Sequence, residues 1–249
     1  MKLYLHDSLT LLQQTSSSLV SMVFTDPPYF MKYRTRHRGS KEKGWGAFGI
    51  FKEYPGDEDT VENKLHIIAI LQECRRVMKD NSAIYLFSGE ESLAFYLSIM
   101  NALFTYRNLI VWKKNNWTGG DLRNAFGRQA EFIIFANKGK TPIIGKRYSN
   151  VWEVNRISSR KLLHPQQKPI ELIEKAILAS SNIGDIVLDP FMGSGSTGEA
   201  CINTARDFIG IDIDKGCVET AAKRLHTGYY TDNHTVIIPL GNYCQVSSF

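Results

Sequence analysis

The feature that most constrains this chain is a rhythm. Short apolar runs bounded by polar or turn residues alternate with stretches whose apolar residues recur at helical intervals. The runs are Leu3 to Leu5, Leu19 to Phe24, Ala83 to Phe87, Leu109 to Trp112, Phe132 to Ala136, Ile186 to Leu188 and Phe208 to Ile211, and each reads as a buried strand. Helical periodicity occupies Asn63 to Met78, Glu91 to Leu103, Pro169 to Ser180 and Cys217 to Leu225. Such alternation predicts an α/β fold, a doubly wound and mostly parallel sheet with helices on both faces. A chain of 249 residues suits one such domain, and 43% hydrophobic with 22% charged residues are ordinary globular values.

Several classes fall away. No stretch approaches the ~18 apolar residues of a membrane span, and Asp7 stands where a signal peptide needs an apolar run, so a cytoplasmic protein is expected. Cys74, Cys201, Cys217 and Cys244 are widely spaced without a CxxC pair, which predicts reduced structural thiols and no metal site. The net charge of +5 is mild, but Lys32, Arg34, Arg36, Arg38, Lys41 and Lys43 crowd one short segment, a candidate phosphate-binding patch. That patch opens an irregular, Gly-rich and aromatic stretch, residues 31–62, in which Trp45 and Phe48 are candidates for a wedge or lid. A second irregular, basic stretch runs from Lys138 to Leu163. Trp112 and Trp117 read equally as core or rim.

Residues 193–198, Gly-Ser-Gly-Ser-Thr-Gly, fit a GxGxxG pattern, with a strand before them and a helix-compatible stretch, Thr197 to Thr204, after them. Small residues there let backbone amides approach a ligand, and Asp212, after the next strand, can accept hydrogen bonds from ribose hydroxyls. Two ligand types satisfy this. A nicotinamide dinucleotide needs a second mononucleotide half, for which no room remains downstream. S-adenosylmethionine has a ribose and adenine but no pyrophosphate, and Asp189 beside the glycines could meet its cationic amino group while repelling a pyrophosphate.

Asp26-Pro27-Pro28-Tyr29 follows the strand ending near Phe24, at the carboxyl edge where open α/β sheets bind ligands. Two prolines fix φ and remove two donors, leaving carbonyls as acceptors. An exocyclic amine of adenine or cytosine is a poor nucleophile because its lone pair is delocalised. Hydrogen bonds to the Asp26 carboxylate and the Pro27 carbonyl would favour a pyramidal nitrogen, and Tyr29 offers a π-face to the base.

With both motifs in this order, the chain resembles the β class of S-adenosylmethionine-dependent DNA amino-methyltransferases, in which the target-base loop precedes the cofactor turn. His164-Pro165-Gln166-Gln167-Lys168-Pro169 resembles that family's other cofactor-side motif. The resemblance implies a Rossmann-like fold in circularly permuted order, a single methyltransferase domain over residues 1–249, and DNA-binding insertions at about 31–62 and 139–163. It implies that Asp7 contacts the cofactor adenine and Asp212 its ribose, that Phe191, Gly193, Gly195 and Ser196 surround the methionine part with Asp189, and that Lys168 lies near the cofactor carboxylate. Asp26, Pro27, Pro28 and Tyr29 would hold and stack the target base, Arg34, Arg36, Arg38 and Lys41 would bind DNA, and His164 would be structural. The expected partner is double-stranded DNA, with a homodimer and a companion restriction nuclease left open. An Asp-led tetrapeptide leans toward adenine N6 over cytosine N4.

Overall fold

The computed structural model describes residues 1–30, 57–118, 123–158, 167–231, 236–240 and 243–247. Its strands are β1 (Lys2–Leu5), β2 (Val20–Thr25), β3 (Met78–Ser88), β4 (Thr105–Thr118), β5 (Arg128–Lys138), β6 (Val151–Glu153), β7 (Ile186–Asp189), β8 (Asp207–Asp212), β9 (Tyr229–Tyr230), β10 (Val236–Leu240) and β11 (Tyr243–Ser247). Its helices are α1 (Ser8–Gln14), α2 (Val61–Val77), α3 (Leu93–Leu103), α4 (Ile170–Ser180), α5 (Ser196–Asn203) and α6 (Lys215–Arg224). All strands join one sheet in the order β11-β10-β9-β1-β8-β7-β2-β3-β5-β4-β6.

The centre of the sheet, β1-β8-β7-β2-β3, is parallel throughout, and β5 inserts antiparallel between β3 and β4. All seven apolar runs are strands, and the helical stretches are α2, α3, α4, α5 and α6. Strands buried on both faces carry nearly continuous apolar sequence, and their side chains alternate between faces. In β3, Ala83, Tyr85 and Phe87 pack with Leu172, Ala176 and Val218 of α4 and α6, whereas Ile84 and Leu86 pack with Leu12, Ile67 and Tyr96 of α1, α2 and α3. The two cores therefore sandwich the sheet. Cys74 and Cys201 are buried thiols within them, and Cys217 is a buried thiol on the cavity lining. Among the described residues no helix is long and apolar enough to cross a membrane.

Three departures from the sequence pattern are informative. Helix α1 is too short to show a period; Asp7 starts it, accepting the Thr10 backbone N–H at 2.9 Å. Strands β4 and β5 run well beyond their apolar stretches because they pair with each other as a hairpin, Thr118 opposite Arg128, and need no helix cover there. The small strands β6, β9, β10 and β11 extend the sheet edges, where pairing with an existing strand substitutes for a run of apolar residues.

What positions the site is the pairing of β2 with β7, in register Met22↔Val187 and Val23↔Leu188. From β2 the chain crosses over through α2 to β3 on one side, and from β7 through α5 to β8 on the other. Between these diverging crossovers the carboxyl ends open a crevice, the usual ligand site of such sheets.

Candidate active site

Two motifs far apart in sequence meet in this crevice because β2 ends at Thr25 and β7 ends at Asp189 on adjacent, parallel strands. A cavity of about 340 Å³ lies over both ends, with Asp26 to Tyr29 on one wall and Asp189 to Ser194 on another.

The glycine turn divides its labour. Gly193 has φ +50°, and a Cβ there would point into open space on the cavity side. Gly195 has φ +78° and caps α5, but a Cβ on it would lie 2.9 Å from that of Ala221, so it serves packing against α6 and does not line the cavity. Gly198, on α5, is pressed against Phe208 and Leu225 in the same way. Ser196 and Phe191 line the cavity, and Ser196 also accepts from Arg224 Nη1 at 2.8 Å.

Of the two acidic residues at the turn Asp189 is buried and Asp212 half-buried, and both are bonded. The Asp189 carboxylate accepts the Thr197 hydroxyl at 2.6 Å and the Phe191 N–H at 3.1 Å, yet burial pushes its pKa up to about 7. Asp212 accepts backbone N–H groups from Gly193 at 2.9 Å and Asp214 at 2.8 Å, and burial raises it to about 6. Asp7 lies on the far wall. Burial would raise its pKa, but the Thr10 hydroxyl and N–H together with His66, whose Nε2 sits 3.2 Å away, hold it below the ordinary value.

The Asp-Pro-Pro-Tyr loop is held by an alternating chain of charges. Tyr29 donates its hydroxyl to Asp26 Oδ1 at 2.5 Å, and Lys168 Nζ lies 3.0 Å from Asp26 Oδ2. The same ammonium lies 2.9 Å from Glu131 Oε2, whose other oxygen is 2.5 Å from Lys114 Nζ. Lys168 also sits 4.8 Å from the centre of the Phe87 ring. Burial pushes Asp26 above the usual carboxylate range despite the pull of Lys168. Glu131 goes the other way: burial would raise it, but Lys168 and Lys114 together bring it down to about 2. Burial and the Asp26 charge keep Tyr29 a protonated phenol, hence a donor. The Tyr96 hydroxyl takes the Pro28 carbonyl at 2.5 Å, and among the described residues no donor reaches the Pro27 carbonyl.

The structure thus gathers Asp7, Asp26, Pro27, Pro28, Tyr29, Lys168, Asp189, Phe191, Gly193, Ser196 and Asp212 around one cavity and leaves Gly195 outside its lining. Lys168 sits on the target side, bridging Asp26 and Glu131. Glu131, Lys114, His66 and Asn63 are site residues that sequence reading passed over, since no motif marks them and only strand pairing and helix packing bring them in. Trp112 is core and Trp117 is rim, 3% and 64% exposed respectively. Arg34, Arg36, Arg38, Lys41, Trp45, Phe48 and His164 lie outside the described residues.

Cavity charge tests the ligand. Its lining holds six aspartates, Asp7, Asp26, Asp57, Asp189, Asp212 and Asp214, against one lysine, and that lysine is committed to Asp26 and Glu131. Such a lining repels a pyrophosphate and suits a cationic, hydroxyl-bearing ligand. The residues present therefore fit S-adenosylmethionine and not a dinucleotide.

Sheet order, switch-point cavity and glycine turn define a Rossmann-like methyltransferase fold with the target loop ahead of the cofactor turn. The family model for DNA methylases of the N6/N4 type matches residues 20–223, and the chain belongs to that family. It is 29% identical to the DNA adenine methyltransferase YhdJ of Escherichia coli (strain K12), over 88% of this chain and 80% of that protein. With the type II methyltransferase M2.LlaDCHI of Lactococcus lactis subsp. cremoris the identity is 32%, over 89% of this chain and 88% of the relative. Among solved structures, the complex of M1.HpyAVI with SAM superposes with a TM-score of 0.68 at 26% identity, covering 90% of this chain and 98% of that one.

Proposed function

We propose that this DNA methylase transfers a methyl group from S-adenosylmethionine to the N6 amine of an adenine turned out of duplex DNA. The observation that carries the reading is the juxtaposition of an acceptor pair, the Asp26 carboxylate and the Pro27 carbonyl, with an acidic glycine-turn cavity on the adjacent strand end. The adenine preference is supported by the relative named as an adenine methyltransferase and by the Asp-led form of the loop. Expression in a methylation-free host followed by base-resolved mapping of modified positions tests it. N4-methylcytosine in place of N6-methyladenine would overturn the base assignment.

The cofactor supplies an electrophilic methyl group on a sulfonium. Asp212 would hold its ribose, Asp7 its adenine, and Gly193, Ser196, Phe191 and Asp189 its methionine part. On the target side, Asp26 and Pro27 would accept the two amine N–H bonds, favouring a pyramidal nitrogen with its lone pair directed at the methyl. Lys168 has Glu131 as a second carboxylate partner, so Asp26 can turn an oxygen to the amine without stranding a buried ammonium. Asp26, its pKa raised by burial, is a suitable first acceptor of the proton the amine sheds. Tyr29 would lend its ring face to the base.

Cofactor binding should depend on pH. In the ligand-free protein Asp189 and Asp212 keep protons up to about 7 and about 6, whereas the unfolded chain releases them near the ordinary aspartate value. The native state then binds more protons than the unfolded state in that window, so stability without ligand falls as pH rises through it. A cationic ligand reverses the balance by favouring the ionised carboxylates. S-adenosylmethionine affinity is expected to rise as pH climbs through that range, with proton release in calorimetry, and Asp189→Asn should flatten the dependence. An affinity indifferent to pH in the unsubstituted protein would remove Asp189 and Asp212 from the cofactor site.

The basic segment after the loop is assigned to phosphate contact, with residues 31–62 and 139–163 as the DNA-binding insertions of a single domain. Neutralising Arg34, Arg36 and Arg38 together should weaken DNA binding and reduce the salt slope by roughly 0.9 per lost phosphate contact. An unchanged slope would return the cluster to an ordinary solvated loop.

A further inference from the structure

Phe126 is 99% exposed, and Trp117 on the facing strand is 64% exposed. A single exposed apolar side chain needs no explanation, but two aromatics on one hairpin do. Gly127, the neighbour of Phe126, lies so close to the Trp117 indole that a Cβ there would collide with it. The hairpin belongs to β4 and β5, and Glu131, three residues past Arg128 on β5, reaches Lys168 and through it Asp26. Its base is fastened to the cleft by a second route. Arg128 pairs with Glu91 and lies 3.6 Å from Glu90, while Gly89 in the same loop packs on Tyr29, 3.0 Å from a Cβ placed there. Three cations of this hairpin are held in ion pairs, Lys113 with Glu153, Lys114 with Glu131 and Arg128 with Glu91.

An exposed aromatic close in sequence to an anchor on the loop that would hold a displaced base has the attributes of a side chain that enters a base stack. We propose that the β4–β5 hairpin fills the gap left in duplex DNA when the target nucleotide leaves it, with Phe126 as the inserted side chain and Trp117 as its brace. Arg128, two residues past Phe126, is fixed by ion pairs to the turn whose Gly89 packs on Tyr29. Insertion offsets the lost stacking of the departing base and blocks its return.

The proposal rests on the DNA methylase reading, and the experiment separates the two. Methyl transfer is measured on a duplex carrying the site mapped for the unsubstituted protein, and on the same duplex lacking the base opposite the target. Phe126→Ala should lower kcat/KM on the paired duplex about 10-fold or more, and leave the abasic-partner duplex within about threefold, because less pairing must be replaced there. Phe126→Tyr, which keeps the ring, should retain most of the activity on both. Phe126 touches no core, so Phe126→Ala should not impair folding, and S-adenosylmethionine binding should be unaltered. Full activity of Phe126→Ala on the paired duplex, or an equal loss on both duplexes, would overturn the proposal. An equal loss accompanied by a changed oligomeric state would reassign the hairpin to a contact between copies of the chain. Failure of the unsubstituted protein to methylate any DNA would instead defeat the methyltransferase reading itself.

Discussion

Replacing Asp26 by alanine is expected to lower the rate of methyl transfer by about 10³-fold or more while S-adenosylmethionine still binds. The argument is geometric. Asp26 and the Pro27 carbonyl are the acceptors at the end of β2, and the Asp26 carboxylate would polarise the amine and take its proton. The proposed cofactor contacts lie at other strand ends, those of β1, β7 and β8, which the substitution leaves untouched. The fold should also tolerate it, because Lys168 keeps Glu131 at 2.9 Å when Asp26 is lost. Single-turnover transfer with labelled cofactor, run beside equilibrium cofactor binding, checks both halves. Near-normal turnover would remove Asp26 from catalysis, and loss of cofactor binding would mean that the two half-sites are not separable.

Lys168→Met should produce the largest change in stability, a loss of about 3–5 kcal/mol in denaturant unfolding. Lys168 is buried between Asp26 and Glu131, and methionine replaces its stem but not its charge. Two carboxylates would then face each other across an apolar group, with Lys114 left to serve Glu131 alone. The pKa of at least one must rise, so the native state would bind more protons than the unfolded state, and the deficit should shrink as pH falls. Adding Asp26→Asn should recover part of the loss, because Asp26 is the carboxylate left without a cation whereas Glu131 keeps Lys114. A loss under about 1 kcal/mol for Lys168→Met would show that the pair behaves like a solvated surface bridge.

The contrast between Lys168 and Gly195 shows how far motif matching reaches. Both are motif positions expected at the cofactor, and the motif gives each a neighbourhood. Neither takes its contact from the motif alone. Gly195 spends its left-handed backbone on capping α5 against Ala221, while Gly193, two residues earlier, turns its open side to the cavity. Lys168 lies two residues before α4 and reaches across to Asp26, just past β2, and to Glu131 on β5. A glycine's freedom is visible in sequence; which neighbour uses that freedom is set by the packed helix beside it.

The strands β2, β3, β7 and β8 were legible because buried parallel strands must carry unbroken apolar runs, and α2, α4 and α6 because a helix on a sheet must keep one apolar face. These are local requirements, and so are the stiffened Asp-Pro-Pro-Tyr turn and the glycine turn. The order of the two motifs along the chain was enough to point to the methyltransferase family. Strand order was not local. That β2 lies beside β7, that β5 reverses between β3 and β4, and that Glu131 consequently reaches Lys168 all follow from pairings between residues distant in sequence. His66 and Asn63 enter the cavity only because α2 packs across the β2 end, and Phe126 stands in solvent because β4 and β5 outrun the core. Local residue order was sufficient for the chemistry available, an acceptor loop, a glycine turn and their succession. Which charges face one another came from the folded sheet, because hydrogen-bonded pairing across it, and not proximity along the chain, brings buried carboxylates and ammonium groups into contact.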